Sequence, residues 1–234
     1  MRKHVLTILL ALLPAISVRG QEVQTSLQRF NWGARIGFAA TGTYVTQARI
    51  DGHKLTDYNQ DTQVGNFAAI LLRMNTQKLF IQSGIGLTSN KSAFVMDKNS
   101  WDPQAASRDE FSVTYSMLSL TLPVQFGVHL INRSPYCMSI FTGPRLRYTP
   151  DKYYSAKFVN LEPYQFTESP TQFTVGWTAG LSVQIGRTFL DFEYEASINN
   201  ITQKMVETSG ATPVPDYVLD RRVGIISFSY GIMF

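Results

Sequence analysis

The chain has 234 residues, 21 of them Lys or Arg and 17 Asp or Glu. Its first twenty residues hold three of the basic and none of the acidic ones, so the remainder carries a formal net charge of +1 rather than +4, which argues against a nucleic-acid-binding surface. Charged residues are 16% and aromatics 12% of the whole; against the ~25% charge of ordinary soluble proteins, something other than surface charge must keep this protein from aggregating, and a lipid surround would do so.

Residues 1–20 read as a secretory signal peptide. Arg2 and Lys3 form a basic start, Val5 to Ile16 an apolar run broken by Pro14, and Val18 and Gly20 precede a cleavage point before Gln21. Residues 21–29 are a short N-terminal segment, and 30–234 form one domain. The one cysteine, Cys137, has no intrachain disulfide partner and reads as inert packing.

Period-two alternation then recurs eight times. Phe30 to Val45 puts Trp32, Ala34, Ile36 and Phe38 on one face and Gly33, Arg35, Gly37 and Ala39 on the other. Val64 to Met74 is less clean, since AAILL suits a short helix as well as a strand. After Asn75–Lys78, Leu79, Ile81, Ile85 and Leu87 alternate with Phe80, Gln82, Gly84, Gly86 and Thr88. The clearest stretch is Ser116 to Tyr148: an apolar row from Leu118 to Leu130, a turn at Asn132–Pro135, and a second row from Tyr136 to Tyr148. Upstream of it, Phe111, Val113, Tyr115 and Met117 occupy odd positions, which predicts a β-bulge near Met117. Phe173 to Ile185, a turn at Gly186–Thr188, Leu190 to Ala196, and Val223 to Phe234 complete the set.

The connections alternate in length. Short turns lie at 75–78, 132–135 and 186–188, and long polar loops at about 46–62, 89–110, 149–170 and 199–221. That sorting predicts an all-β, eight-stranded antiparallel up-and-down transmembrane barrel with short periplasmic turns and long extracellular loops. Residues 111–132 and 169–186 lack Asp, Glu, Lys and Arg and are long enough for membrane helices, but their polar residues recur with period two. Pro123 within the first counts against an uninterrupted strand. Trp32, Phe126, Tyr136 and Phe234 at one end, with Tyr148 and Phe173 at the other, predict two aromatic girdles.

The segments Trp32-Gly33-Ala34-Arg35-Ile36-Gly37 and Leu120-Thr121-Leu122-Pro123-Val124, the Gly143-Pro144 pair, and a last strand closing on Phe234 resemble the PorT-like family of small outer-membrane β-barrels. The resemblance spans the chain after the leader and implies a barrel in the outer membrane of a Gram-negative bacterium. A part in a protein-secretion system is the alternative role it suggests. The final strand, with Phe228, Tyr230 and Phe234, resembles the signal read by the barrel-insertion machinery.

The inward face collects Arg35, Arg73, Arg145 and Arg147 with Asp191, Glu193 and Glu195. The interior of an eight-stranded barrel is nearly filled by side chains, so these charges are expected to pair across it as a plug; a narrow conducting pore is the alternative. Glu193 and Glu195 share a face, as paired catalytic carboxylates would, but a plugged lumen offers no substrate pocket. No HExxH, GxSxG, CxxC, Walker or GxGxxG arrangement occurs, and no histidine is placed for a lipid-modifying barrel enzyme: His4 leaves with the leader, His53 is in a loop and His129 is a lone inward residue. No enzyme, cofactor or metal site is expected. Trp101, Tyr153, Tyr154, Phe158, Tyr164 and Phe166 in the loops form either a hairpin continuing above the membrane or a surface for a protein or glycan partner. The other expected partners are outer-membrane lipid and the insertion machinery.

Overall fold

The computed structural model describes residues 29–50, 53–54, 58–97, 110–159, 166–200, 202–207 and 217–234. The proposed leader, residues 21–28, Trp101 and Tyr164 lie outside them.

Eight long strands make one closed barrel: β1 Phe30–Ile50, β2 Gln63–Asn75, β3 Leu79–Asp97, β4 Glu110–Arg133, β5 Tyr136–Tyr148, β6 Phe173–Ile185, β7 Thr188–Ser197 and β8 Tyr217–Met233. Neighbours in sequence pair antiparallel. β1 closes on β8 from Gly33 opposite Met233 to Ile50 opposite Tyr217. Closure pairs the backbone polar groups between strands, as hydrocarbon requires. The ambiguous AAILL stretch is strand: Leu71 and Arg73 are buried while Ile70, Leu72 and Met74 are exposed. At the β6–β7 turn, Gly186 has φ +60, a left-handed conformation that suits glycine.

The exposed face is apolar along the spanning part of every strand, with Ile36, Ile70, Ile85, Leu122, Ile140, Leu181, Phe192 and Phe228 among its residues. Both girdles are present. Trp32 stacks on Phe234 with centroids 4.5 Å apart at the turn end, and Tyr148 meets Phe173 at 4.8 Å toward the loop end.

The predicted bulge at Met117 is absent. β4 pairs with β3 without a shift from Leu118 opposite Ser89 to Phe111 opposite Met96. Val113, Tyr115 and Met117 are buried in the same inward row as Ser119 and Thr121, so the change at Met117 is one of polarity, not register. Below it, lipid lies outside and polar groups inside. Above it, the inward β4 residues Val113, Tyr115 and Met117 are apolar, facing the buried Ser92 and Asn90 of β3, and the outward Ser112, Thr114 and Ser116 are polar, as on a strand with water outside. The register shift lies instead between His129 and Ile131 in the β4–β5 ladder, and it leaves both Leu130 and Ile131 exposed.

The same inversion explains why the loops are shorter than expected. Much of the span 89–110 is strand, because β3 and β4 stay paired up to Asp97 and Glu110. Residues 58–61 add to β3, and 154–159 add to β4 after a 3-10 turn at Asp151–Tyr153. Residues 166–170 pair with 202–207. Pro123 does interrupt the sheet: the β4–β5 ladder passes from Pro123–Arg145 to Phe126–Thr142. The Ser83 hydroxyl donates to the Pro123 carbonyl at 3.0 Å.

Candidate functional site: a ladder of charge across the lumen

The three carboxylates lie on one strand, at alternate positions of β7, so all face the lumen. Their partners are not on adjacent strands. Arg145 and Arg147 come from β5, beyond β6, and Arg35 from β1, beyond β8. The reach is possible because the intervening inward rows are small: Thr174, Gly176, Thr178, Gly180 and Ser182 on β6, and Ser227, Ser229 and Gly231 on β8. A Cβ at Gly176 would strike the Glu195 carboxylate.

The result is an alternating ladder of six groups, Asp191, Arg35, Glu193, Arg145, Glu195, Arg147. Arg35 Nη1 donates to Asp191 Oδ2 at 3.0 Å and also to Glu193 Oε1. Arg145 gives Nη2 to Glu193 Oε2 and Nη1 to Glu195 Oε2, the latter at 2.9 Å. Arg147 Nη2 reaches both Glu195 oxygens at 2.8 and 2.9 Å. No side chain in the ladder is more than 10% exposed. Three cations and three anions balance; buried charges are tolerated when paired and hydrogen-bonded in this way.

Arg73, expected to pair with an acid here, stands outside the ladder. It is buried on β2 near the periplasmic end, where Nε donates to Gln82 Oε1 at 2.7 Å. A chain of amides continues from it: Gln82 to Gln125 at 3.1 Å, Gln125 to Thr178 at 3.1 Å, and Thr178 to the Gly143 carbonyl at 2.9 Å. The guanidinium lies over the Phe80 ring at 4.5 Å and near Phe189 at 6.0 Å, a cation–π arrangement.

Below the ladder is an apolar floor that the sequence reading did not assemble. Phe80 sits opposite Gly127, Phe141 opposite Gly180 and Phe189 opposite Gly231. A Cβ on any of these glycines would collide with the facing ring. Phe189 packs with Leu71 and Met233 in one buried apolar cluster. The retrievable signal is Phe and Gly at cross-strand positions of neighbouring inward rows. Beside this floor, His129 Nδ1 lies 2.8 Å from Ser139 Oγ and 3.3 Å from Cys137 Sγ, and its ring stacks on Phe80. Cavities flanking the ladder hold about 20 Å3 each, enough for about one water.

Tyr153 is exposed with Lys152 over its ring at 5.0 Å, whereas Tyr154 is half-buried and faces Tyr115 at 6.3 Å. Phe158 lies in the strand added to β4 and Phe166 in the ribbon at 166–170; their side chains, like Trp101 and Tyr164, are outside the described residues. Phe228, Tyr230 and Phe234 are all exposed on the lipid-facing side of the last strand.

Comparison with known proteins agrees with this architecture. OprG, an outer membrane protein from Pseudomonas aeruginosa, superposes with a TM-score of 0.53 at 13% identity, covering 87% of this chain and 95% of its own. Ail, the attachment invasion locus protein of Yersinia pestis, gives 0.40 at 11% identity over 87% and 98%. Neisserial surface protein A gives 0.38 at 12% identity over 87% and 97%. At these identities the likeness to OprG speaks for the fold alone, and the two lower scores carry no argument. No curated protein matches the sequence. Residues 20–203 match the outer membrane protein beta-barrel domain, and the chain therefore belongs to that family of outer-membrane β-barrels.

Proposed function

We propose that this protein is a non-conducting, non-enzymatic barrel of a Gram-negative outer membrane, exported through a cleaved leader, which works by presenting its extracellular strands and loops to a protein or glycan partner. The observation that carries this is the polarity inversion at Met117. A barrel serving only as a membrane plug has no use for strands that continue upward, turn the polar side chains of β4 outward and bury its Val113, Tyr115 and Met117 on the inner face. Such a construction makes a rigid platform in water, the kind of scaffold on which binding loops are carried. The filled lumen supports the same reading from the other side. Glu193 and Glu195 are each engaged by two arginines, which leaves neither free as a general acid or base. The exposed Phe228, Tyr230 and Phe234 suit recognition by the insertion machinery during assembly.

The test is an exchange of parts in cells that depend on the protein. Replacing residues 98–109 and 160–165 by short Gly-Ser links leaves every described strand intact and is expected to abolish the envelope phenotype. Exchanging the lumen pair Arg145 and Glu193 for methionines is expected to leave the phenotype in place wherever the barrel still assembles. The opposite pattern overturns the proposal, and loss of protein secretion on loop exchange would assign the barrel to the PorT-like role.

A further inference from the structure

The lipid-facing wall is not evenly convex. On the side formed by β3 to β6, in the periplasmic half of the barrel, it holds an apolar groove of about 730 Å3. Leu79, Phe126, Val128 and Ile140 line it, and Gly127 and Gly180 form part of its floor. The depression has a local cause. Phe80 and Phe141 turn inward over those glycines, while the outward residues between the large side chains, Thr142 and Ala179, are small. Its size is that of a ligand pocket.

The groove runs down to Thr76 in the β2–β3 turn, and two basic residues stand at that end. The turn is tied to the β4–β5 hairpin: the His129 amide donates to the Lys78 carbonyl at 2.8 Å, and Asn132 Nδ2 to the Gln77 carbonyl at 3.4 Å. The shift of register after His129 carries Arg133 onto the outward row, opposite Tyr136. Lys78 and Arg133 are both exposed. The turns at 75–78, 132–135 and 186–188 contain Lys78, Arg133 and Arg187 and no Asp or Glu.

We propose that this groove is a binding site for one anionic glycerophospholipid of the periplasmic leaflet. Its acyl chain lies along Leu79, Val128 and Ile140, and its phosphate and headgroup meet Lys78 and Arg133. The geometry matches the way a lipid hangs in a leaflet: the charged contacts are at the rim, and the apolar channel rises from them toward the middle of the membrane. Tyr136 flanks the mouth at the depth where amphipathic rings settle. Two cations in turns that themselves carry no Asp or Glu favour a lipid of net negative charge over a zwitterionic one. The inference rests on the barrel spanning the membrane and is independent of the surface role proposed above.

Native mass spectrometry of the barrel released from detergent micelles containing phosphatidylglycerol or phosphatidylcholine tests it. The unmodified protein is expected to retain a single phosphatidylglycerol in preference to phosphatidylcholine. The double variant Lys78→Gln, Arg133→Gln is expected to lose that preference by on the order of tenfold or more. Arg187→Gln, at the turn away from the groove, is expected to keep it, and Ala179→Phe, which fills the groove, to lower retention of both lipids while the barrel still migrates as a folded species on unheated gels. Equal retention of the two lipids by the unmodified protein would overturn the proposal. So would an Arg187→Gln effect as large as that of the double variant, or undiminished retention in folded Ala179→Phe.

Discussion

Arg145 reaches across the whole of β6 to hold Glu193, its guanidinium passing over a row of threonines and glycines and bridging to Glu195 at 2.9 Å. This contact links strands that share no backbone hydrogen bonds, so the ladder braces the barrel across its section and not only around its circumference. Removing one member strands a buried charge. Arg145→Met is therefore expected to cost about 3–5 kcal/mol in urea titrations of the detergent-folded barrel. The double replacement with Glu193→Met should recover part of that loss, and additive losses would contradict a direct coupling.

The phenylalanine floor makes a separate, steric prediction. Gly127→Ala places a methyl group in the space taken by the Phe80 ring and is expected to destabilise by about 1–3 kcal/mol. Trimming the ring with Phe80→Leu should make the alanine cheaper, whereas two independent effects would simply add. Thermal unfolding of the two single variants and the double variant reads this directly.

Polarity inversion at Met117 predicts opposite tolerances along a single face of β4. An arginine at Leu122, near the middle of the lipid-facing row, is expected to cost about 2–4 kcal/mol. At Ser116, two residues above the first lipid-facing leucine, the same change is expected to cost nothing measurable. Folding yields into lipid vesicles separate the cases, and equal penalties would place the membrane boundary elsewhere.

The irregularity at the other end of β4 is testable by accessibility. Spin labels at Leu130 and Ile131, in a Cys137→Ala background, should both show high accessibility to oxygen and low accessibility to a nickel chelate, because both positions are exposed on the lipid side. A regular strand would put one of the two inside the barrel.

Much of this molecule was legible in the sequence because a lipid-facing strand has only one solution for its apolar residues. Alternation in rows such as Leu118 to Leu130 and Phe173 to Ile185 showed which face of each strand meets lipid, and its recurrence along the chain showed the strand count. Reading failed where the environment changed along a strand. At Phe111 to Met117 the alternation swaps phase because water replaces lipid outside, and a swap of phase looks the same as a bulge when only one strand is in view. The actual bulge at Leu130 and Ile131 was hidden by two adjacent apolar residues. Within the lumen, the seven charged positions were readable from parity alone. Their partners were not, since Arg145 pairs over an intervening strand and Arg73 takes Gln82 and Phe80 in place of a carboxylate, choices set by which inward neighbours are small.

The central claim is that the charge ladder and the aromatic floor close the lumen to ions. Current recording across a planar bilayer containing the purified, refolded barrel addresses it most directly. A silent membrane is the predicted result, with no discrete steps beyond those of protein-free controls. Current steps of one reproducible size, altered in amplitude or selectivity by Arg145→Met, would contradict it and make the ladder a conducting path.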